Sequence, residues 1–182
     1  TAHLLGLRLL HNDLPVPLHE RLDSLIMETM ETLDRMRKLA QDLRPPMLDT
    51  LDLPAALEAF CREYGSRMNL PIHFEAEPTP PLTDMAGITL YRFLQEALTN
   101  VARHANASQA WVDLSLEDQS VTLTVQDNGR GFTARDPVSH SIGLQGLQER
   151  LAAAGGSLAL RSTPGRGTIL TARLPIPPAE AV

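Results

Sequence analysis

Apolar residues recur along this chain with two different periods, and the switch between them marks out its architecture. Leu4, Leu7 and Leu10 stand at helical spacing before Pro15 and Pro17 interrupt the pattern. Between 17 and 44 the apolar positions interleave as heptads: Leu22, Thr29, Met36 and Leu43 form one row, and Ile26, Leu33 and Ala40 form a second, offset by four. Alternating steps of three and four make the seam of a coiled coil or helical bundle. Leu25, Met30 and Leu39 widen that stripe beyond a two-stranded seam, which favours a bundle. One long and one short helix cannot bury such a stripe, so partner helices are expected, and a homodimer supplies them most simply.

Arg44-Pro45-Pro46 stops the long helix, because proline has no amide donor and clashes with the preceding turn. Leu53-Pro54 then opens a helix over about 54–68 with Leu57 and Phe60 facing inward. PIHFEAE (71–77) alternates apolar and polar like a strand with one wet face, and the proline-rich PTPPLTD (78–84) is a connector. A helix follows over 85–105, with Leu90, Leu94, Ala97, Leu98 and Val101 on one face. Ala110–Leu116 and Val121–Gln126 alternate as a hairpin turning at 117–120; 133–142 reads as a polar loop. A helix over 143–154 ends at Gly155-Gly156, the expected cap residues, and strands at 157–162 and 168–174 close the pattern. This mixture predicts an α+β fold, a two-layer sandwich whose mixed, mostly antiparallel sheet carries helices on one face.

The composition narrows the function. An apolar fraction of 43% supports a packed core, and a charged fraction of 21% argues against disorder. A formal net charge of -6 speaks against a nucleic-acid partner. A single cysteine, Cys61, makes no internal disulfide, reads as a small buried apolar residue, and makes a reducing cytoplasm the default. No apolar run approaches the roughly 20 residues of a membrane span. The chain starts at Thr1, so it is expected to be a piece of a longer protein, with any membrane span upstream.

Four clusters carry candidate chemistry. On the helix LYRFLQEALTNVARHA, Arg92, Glu96, Asn100 and Arg103 recur at steps of four, four and three. An Asn carbonyl is a hard ligand suited to magnesium, and a carboxylate one turn earlier can polarise a nucleophile; a solvated helix face would look similar. DNGRG (127–131) follows a strand, where two glycines permit close backbone approach and a carboxylate can accept from an exocyclic amine; a plain turn also fits. Gly143 and Gly146 open an amphipathic helix whose bare amides suit an anion, or simply need small residues. Ser162–Thr168 is a glycine-containing turn from which Thr168 can reach a ligand. Neither a dinucleotide fingerprint nor a P-loop occurs.

In this order, the four clusters resemble the ATP-binding fold shared by DNA gyrase, the ninety-kilodalton heat-shock chaperones, mismatch-repair ATPases and histidine kinases. QEALTNVARHA, DNGRGF, GLQGLQERL and STPGRGT look like sensor histidine kinases of the nitrate-sensor type. The likeness continues upstream through DLRPPMLDTLDLPAAL, which in that family joins the dimerisation helices to the catalytic domain. The resemblance implies two domains: residues 1–46, part of a helical dimerisation and phosphoacceptor hairpin, and residues 47–182, a catalytic domain binding ATP and Mg²⁺. It implies Glu96 as general base, Asn100 on Mg²⁺, and Arg103 and His104 near phosphates. Asp127 would accept from the adenine amine, with Gly129 and Gly131 giving the base room. Gly143, Leu144 and Gly146 would bracket a short lid over 132–142, and Thr168 would lie near the adenine. The implied partner is a response regulator phosphorylated on aspartate, and the implied setting is cytoplasmic, with any inner-membrane anchor supplied upstream.

One departure matters. The family's acceptor histidine lies in an His-Asp motif, and no His-Asp pair occurs anywhere in the sequence. His3 and His11 are followed by Leu and Asn, and TAHLLGLRLL aligns downstream of the acceptor. The expectation is a phosphoryl donor without its acceptor. Two other readings remain at this stage: a non-catalytic dimerising nucleotide sensor, and a serine kinase of the anti-sigma-factor type. The RPP linker and heptad helix argue against the second.

Overall fold

The computed structural model describes residues 45–133 and 142–176. The helical patterns expected over 1–12 and 17–44, and residues 134–141 of the expected lid, lie outside the described residues. Those described belong to a compact unit that begins at Pro45.

A 3₁₀ turn, Pro46–Asp49, leads into α1, Leu53–Met68. Asp52 caps α1 by accepting from the Ala55 amide at 2.9 Å, Pro54 fits the first turn, and Asn69 ends the helix in the left-handed region. Strand β1, Ile72–Ala76, precedes α2, Asp84–Asn100, which Thr83 caps through the Ala86 amide. The hairpin β2, Ala110–Glu117, and β3, Ser120–Asp127, turns on Asp118 and Gln119, both at positive φ. Helix α3, Ile142–Ala153, then leads to β4, Ser157–Ser162, and β5, Thr168–Pro175. Behind α3 the amides of Gly155 and Gly156 bond back to Ala152 and Leu151, so the expected cap is present.

The five strands run in the order β1-β2-β3-β5-β4, with β1 parallel to β2 and the other pairs antiparallel. The fold is therefore the α+β sandwich with a mixed, mostly antiparallel sheet that the periodicity predicts. Period-two alternation turns Val112 and Leu114, Val121, Leu123 and Val125, and Leu170, Ala172 and Leu174 to one side, where all are buried. Leu57 and Phe60 of α1, Leu90, Phe93, Leu94 and Leu98 of α2, and Leu147 and Leu151 of α3 cover them. Each such side chain contributes about 1.5–3 kcal/mol on burial. The opposite sheet face is more polar, and there His73 stacks on Trp111. Cys61 is buried in the helical layer as expected; burial, and secondarily the charge of Glu58, push its thiol up to about 12.

Two details bear on the site. Tyr91, on α2, donates from its hydroxyl to Met47 Sδ at 3.2 Å and packs on Phe60, which ties the 3₁₀ turn to the helix bearing Glu96 and Asn100. Among the described residues no helix is long and apolar enough to cross a membrane.

The hairpin turn holds two non-glycine residues at positive φ, Gln119 at 61°. Gln119→Gly is expected to raise stability by about 1 kcal/mol, read as a higher denaturant midpoint at unchanged slope.

Candidate functional site

The predicted helix over 85–105 does not wind uniformly. Its α-helical part ends at Asn100, and Val101–Ala105 form a π-helical turn closed by Asn106 at φ 51°. The physical cause lies outside the helix: the Ala105 carbonyl accepts from the Arg130 amide at 2.7 Å. Gly129 lets the two backbones meet, because a Cβ there would collide with the Ala105 carbonyl. In an α-helix the residues three and four beyond Asn100 both lie near it; the wider π turn carries the third away and keeps the fourth. His104 consequently lines the cavity with Asn100, whereas Arg103 is exposed and outside the lining.

Two further crossings fix the rest. Gly131, at φ 58°, abuts the Thr163 carbonyl, and Gly167, at φ 79°, abuts the Asp127 carbonyl; a Cβ at either would collide. The Arg130 carbonyl accepts from the Gly165 amide at 2.7 Å. The β3–β5 register sets Asp127 directly opposite Thr168. Ser162 joins these loops: its hydroxyl accepts from the Phe132 amide at 2.9 Å, donates to the Gly167 carbonyl at 3.1 Å, and lies 3.0 Å from the Thr168 hydroxyl.

These elements enclose a cavity of about 410 Å³, within the range of small-ligand sites. Of the residues singled out from sequence, Asn100, His104, Asp127, Gly131, Leu144 and Thr168 line it. Gly129, Gly143, Gly146, Glu96 and Arg103 do not. Gly129 acts behind the wall, against Ala105. Gly143 sits over the Glu96 carboxylate, which a Cβ there would strike, so the acid lies beside the start of α3 at the cavity's edge. The sequence reading missed Arg130, Phe132, Leu160 and Leu170 as lining, and Ser162 as the hub of the loops. The strand patterns at 157–162 and 168–174 contain Leu160 and Leu170, but pattern alone cannot tell a core position from a cavity wall.

The wall is largely apolar, from Ala97, Val101, Val125, Leu144 and Leu170, with few polar groups set into it. Asp127 is 4% exposed, and its Oδ1 accepts from the Gly129 amide at 2.8 Å. Burial outweighs the Gly129 and Thr168 amides and holds its carboxyl above the ordinary range. Asn100 Nδ2 is buried and has no hydrogen-bond partner among the described residues. A buried donor left unmade costs about 1–3 kcal/mol, which a ligand acceptor would recover. Exposed His104, Arg130 and Leu160 form the mouth. The donor set fits a planar, amine-bearing heterocycle at Asp127 with an anionic tail toward Asn100 and His104.

Residues 85–178 match the family described as "Histidine kinase-, DNA gyrase B-, and HSP90-like ATPase". The chain is 41% identical over 147 residues to the sensor histidine kinase MctS of Rhizobium johnstonii, covering 79% of this chain and 32% of that protein. It is 33% identical over 150 residues to the sensor histidine kinase LiaS of Bacillus subtilis, covering 82% and 41% respectively. It thus spans well under half the length of these curated relatives. Among solved structures, the blue-light activated histidine kinase of Erythrobacter litoralis superposes with a TM-score of 0.62 at 19% identity, over 74% of this chain and 45% of that one.

The raised Asp127 carboxyl gives a pH test. Because its pKa is higher folded than unfolded, its contribution to stability is complete below the ordinary value of 3.8 and is lost as pH rises through the folded value. Urea midpoints measured from about pH 4 to about pH 7 should therefore fall for the wild type relative to Asp127→Asn. Parallel curves would show that the carboxyl carries no burial penalty.

Proposed function

The chain belongs to the histidine kinase-, DNA gyrase B- and HSP90-like ATPase family, and from that premise we propose that it is the catalytic portion of a two-component sensor histidine kinase, binding ATP with magnesium and passing the γ-phosphoryl group to a histidine. The observation that carries the reading is the pairing of buried Asp127 with Thr168 at one part of a cavity that Asn100 lines with an unpartnered amide nitrogen.

Asp127 accepts from the adenine amino group, and its burial strengthens that bond by excluding water. Thr168, held by Ser162, sits beside the same edge. Gly129 and Gly131 keep the loop clear of the base. Asn100 would hold magnesium through its side-chain oxygen, a hard ligand suited to that ion. His104 faces the phosphates from the mouth; Arg103, exposed and off the wall, reaches them only when the tail extends outward. Glu96, beside Gly143, takes the proton from the attacking imidazole. Gly143, Leu144 and Gly146 bracket the lid. The bound nucleotide supplies the phosphoryl group and the magnesium ion offsets its charge, so the chain acts chiefly by positioning.

Residues 1–46 belong to the dimerisation domain and 47–182 to the catalytic domain, with a homodimer formed through the helical bundle. The acceptor histidine is supplied from outside this sequence, and a response regulator receives the phosphoryl group in turn. The absence of any His-Asp pair supports transfer in trans to a supplied acceptor.

The test combines this chain, ATP–Mg and a separate dimerisation domain carrying the histidine. Acid-labile phosphate on that domain is the expected result; ATP binding without transfer would favour a non-catalytic nucleotide-sensing module. Asn100→Ala should weaken magnesium-dependent ATP binding by about 10- to 100-fold. Glu96→Gln should slow transfer by about 10²–10⁴ and leave ATP affinity unchanged. Equal losses of affinity in the two variants would contradict the division of roles.

A further inference from the structure

Arg130 has no role in the reading above, yet its placement is the most constrained of any exposed side chain at the cavity. Its backbone is pinned on both sides, the amide on the Ala105 carbonyl and the carbonyl on the Gly165 amide, each at 2.7 Å. Its two neighbours cannot shift, since Gly129 is wedged against Ala105 and Gly131 against Thr163. The side chain is therefore launched from a fixed point three residues beyond Asp127. It lines the cavity while remaining exposed. Among the described residues no carboxylate pairs with it: the ion pairs there are Arg62 with Glu58 and Arg173 with Asp118, and Asp127 is engaged by backbone amides.

A guanidinium without an acid, held at the mouth beside an apolar wall, has two uses for a bound nucleotide. It can grip the phosphate tail as a charge, or lay its plane on the flat face of the base. The placement favours the second. Asp127 fixes the amine edge of the base, and Val101, Val125 and Leu170 give an apolar wall for one face. The other face is left to the mouth, formed by exposed Arg130, His104 and Leu160 with Phe132 also in the lining. Arg130 is the lining residue whose backbone is held on both sides next to the Asp127 loop. We propose that Arg130 stacks its guanidinium over the adenine ring and closes the base site from the solvent side, an inference that rests on the nucleotide reading above.

The experiment measures dissociation constants of adenosine and of ADP for wild-type chain, Arg130→Ala and Arg130→Lys, with thermal midpoints to show that each remains folded. Stacking predicts that Arg130→Ala weakens both ligands by a similar factor, about three- to thirtyfold, and that lysine restores little of it. Loss confined to ADP, or full rescue by lysine, would assign Arg130 to the phosphates and overturn the stacking role. No loss for either ligand also overturns it. Wild-type chain that binds neither ligand would remove the nucleotide site itself, a failure distinguishable because it precedes any substitution.

Discussion

Three places where one stretch of backbone passes another with no side chain between them hold this site together. Gly129 meets Ala105, Gly131 meets Thr163, and Gly167 meets Asp127. Each crossing brings a loop from one part of the sequence onto a loop or helix end from another. Together they turn the tail of α2, the end of β3 and the β4–β5 turn into one piece. The polar groups that matter are attached to that piece. Asp127 takes its position from the β3–β5 register, His104 from the π turn that the Arg130 amide stabilises, and Thr168 from the Ser162 hydroxyl. A methyl group at any of the three crossings would meet the facing carbonyl and push the two stretches apart.

Charge is distributed in depth. A single acid sits at the inner part of the cavity, disfavoured as an anion by its burial, with amides rather than cations as partners. The Arg130 guanidinium stays at the mouth in water, where its charge is inexpensive to keep. A ligand with a neutral, amine-bearing plane and an anionic tail matches that gradient, and the reverse orientation would bury phosphate beside Asp127. The burial that makes Asp127 discriminating is also the burial that lowers stability above its folded pKa, so selectivity and stability pull against each other at one residue.

Much of this was legible beforehand, and what was not has definable causes. Among the described residues, alternation and helical spacing located the five strands and the three α-helices because each element buries one side, and burial is what those periods record. Asn100, Asp127 and Thr168 were legible because residue type and neighbouring glycines narrow what such positions can do. The π turn was not. Nothing in VARHA departs from α-helical spacing; the widening is imposed by Arg130, whose amide takes the Ala105 carbonyl from 25 residues further along. The same long-range contact explains why Arg103, placed by α spacing on the row of Asn100, stands outside the lining. The glycines of DNGRG were found for a partly different purpose: Gly129 and Gly131 were expected to give a ligand room, and a Cβ at either would strike neighbouring backbone, of Ala105 and of Thr163. Pattern shows that a side chain must be missing but not what takes its place.

The π turn between Asn100 and Ala105 also limits how the chain can vary in length. A π turn accommodates one residue more than the α turn it replaces, over nearly the same rise. A sequence lacking one residue between 100 and 105 would wind as plain α-helix with no loss of local helical bonding. Its final carbonyl would then point away from Arg130. Single-residue deletions here are therefore separable from most others in the domain: the helix would survive, and the joint between α2 and the DNGRG loop would not. Length, more than residue identity, is what the segment Val101–Ala105 has to conserve.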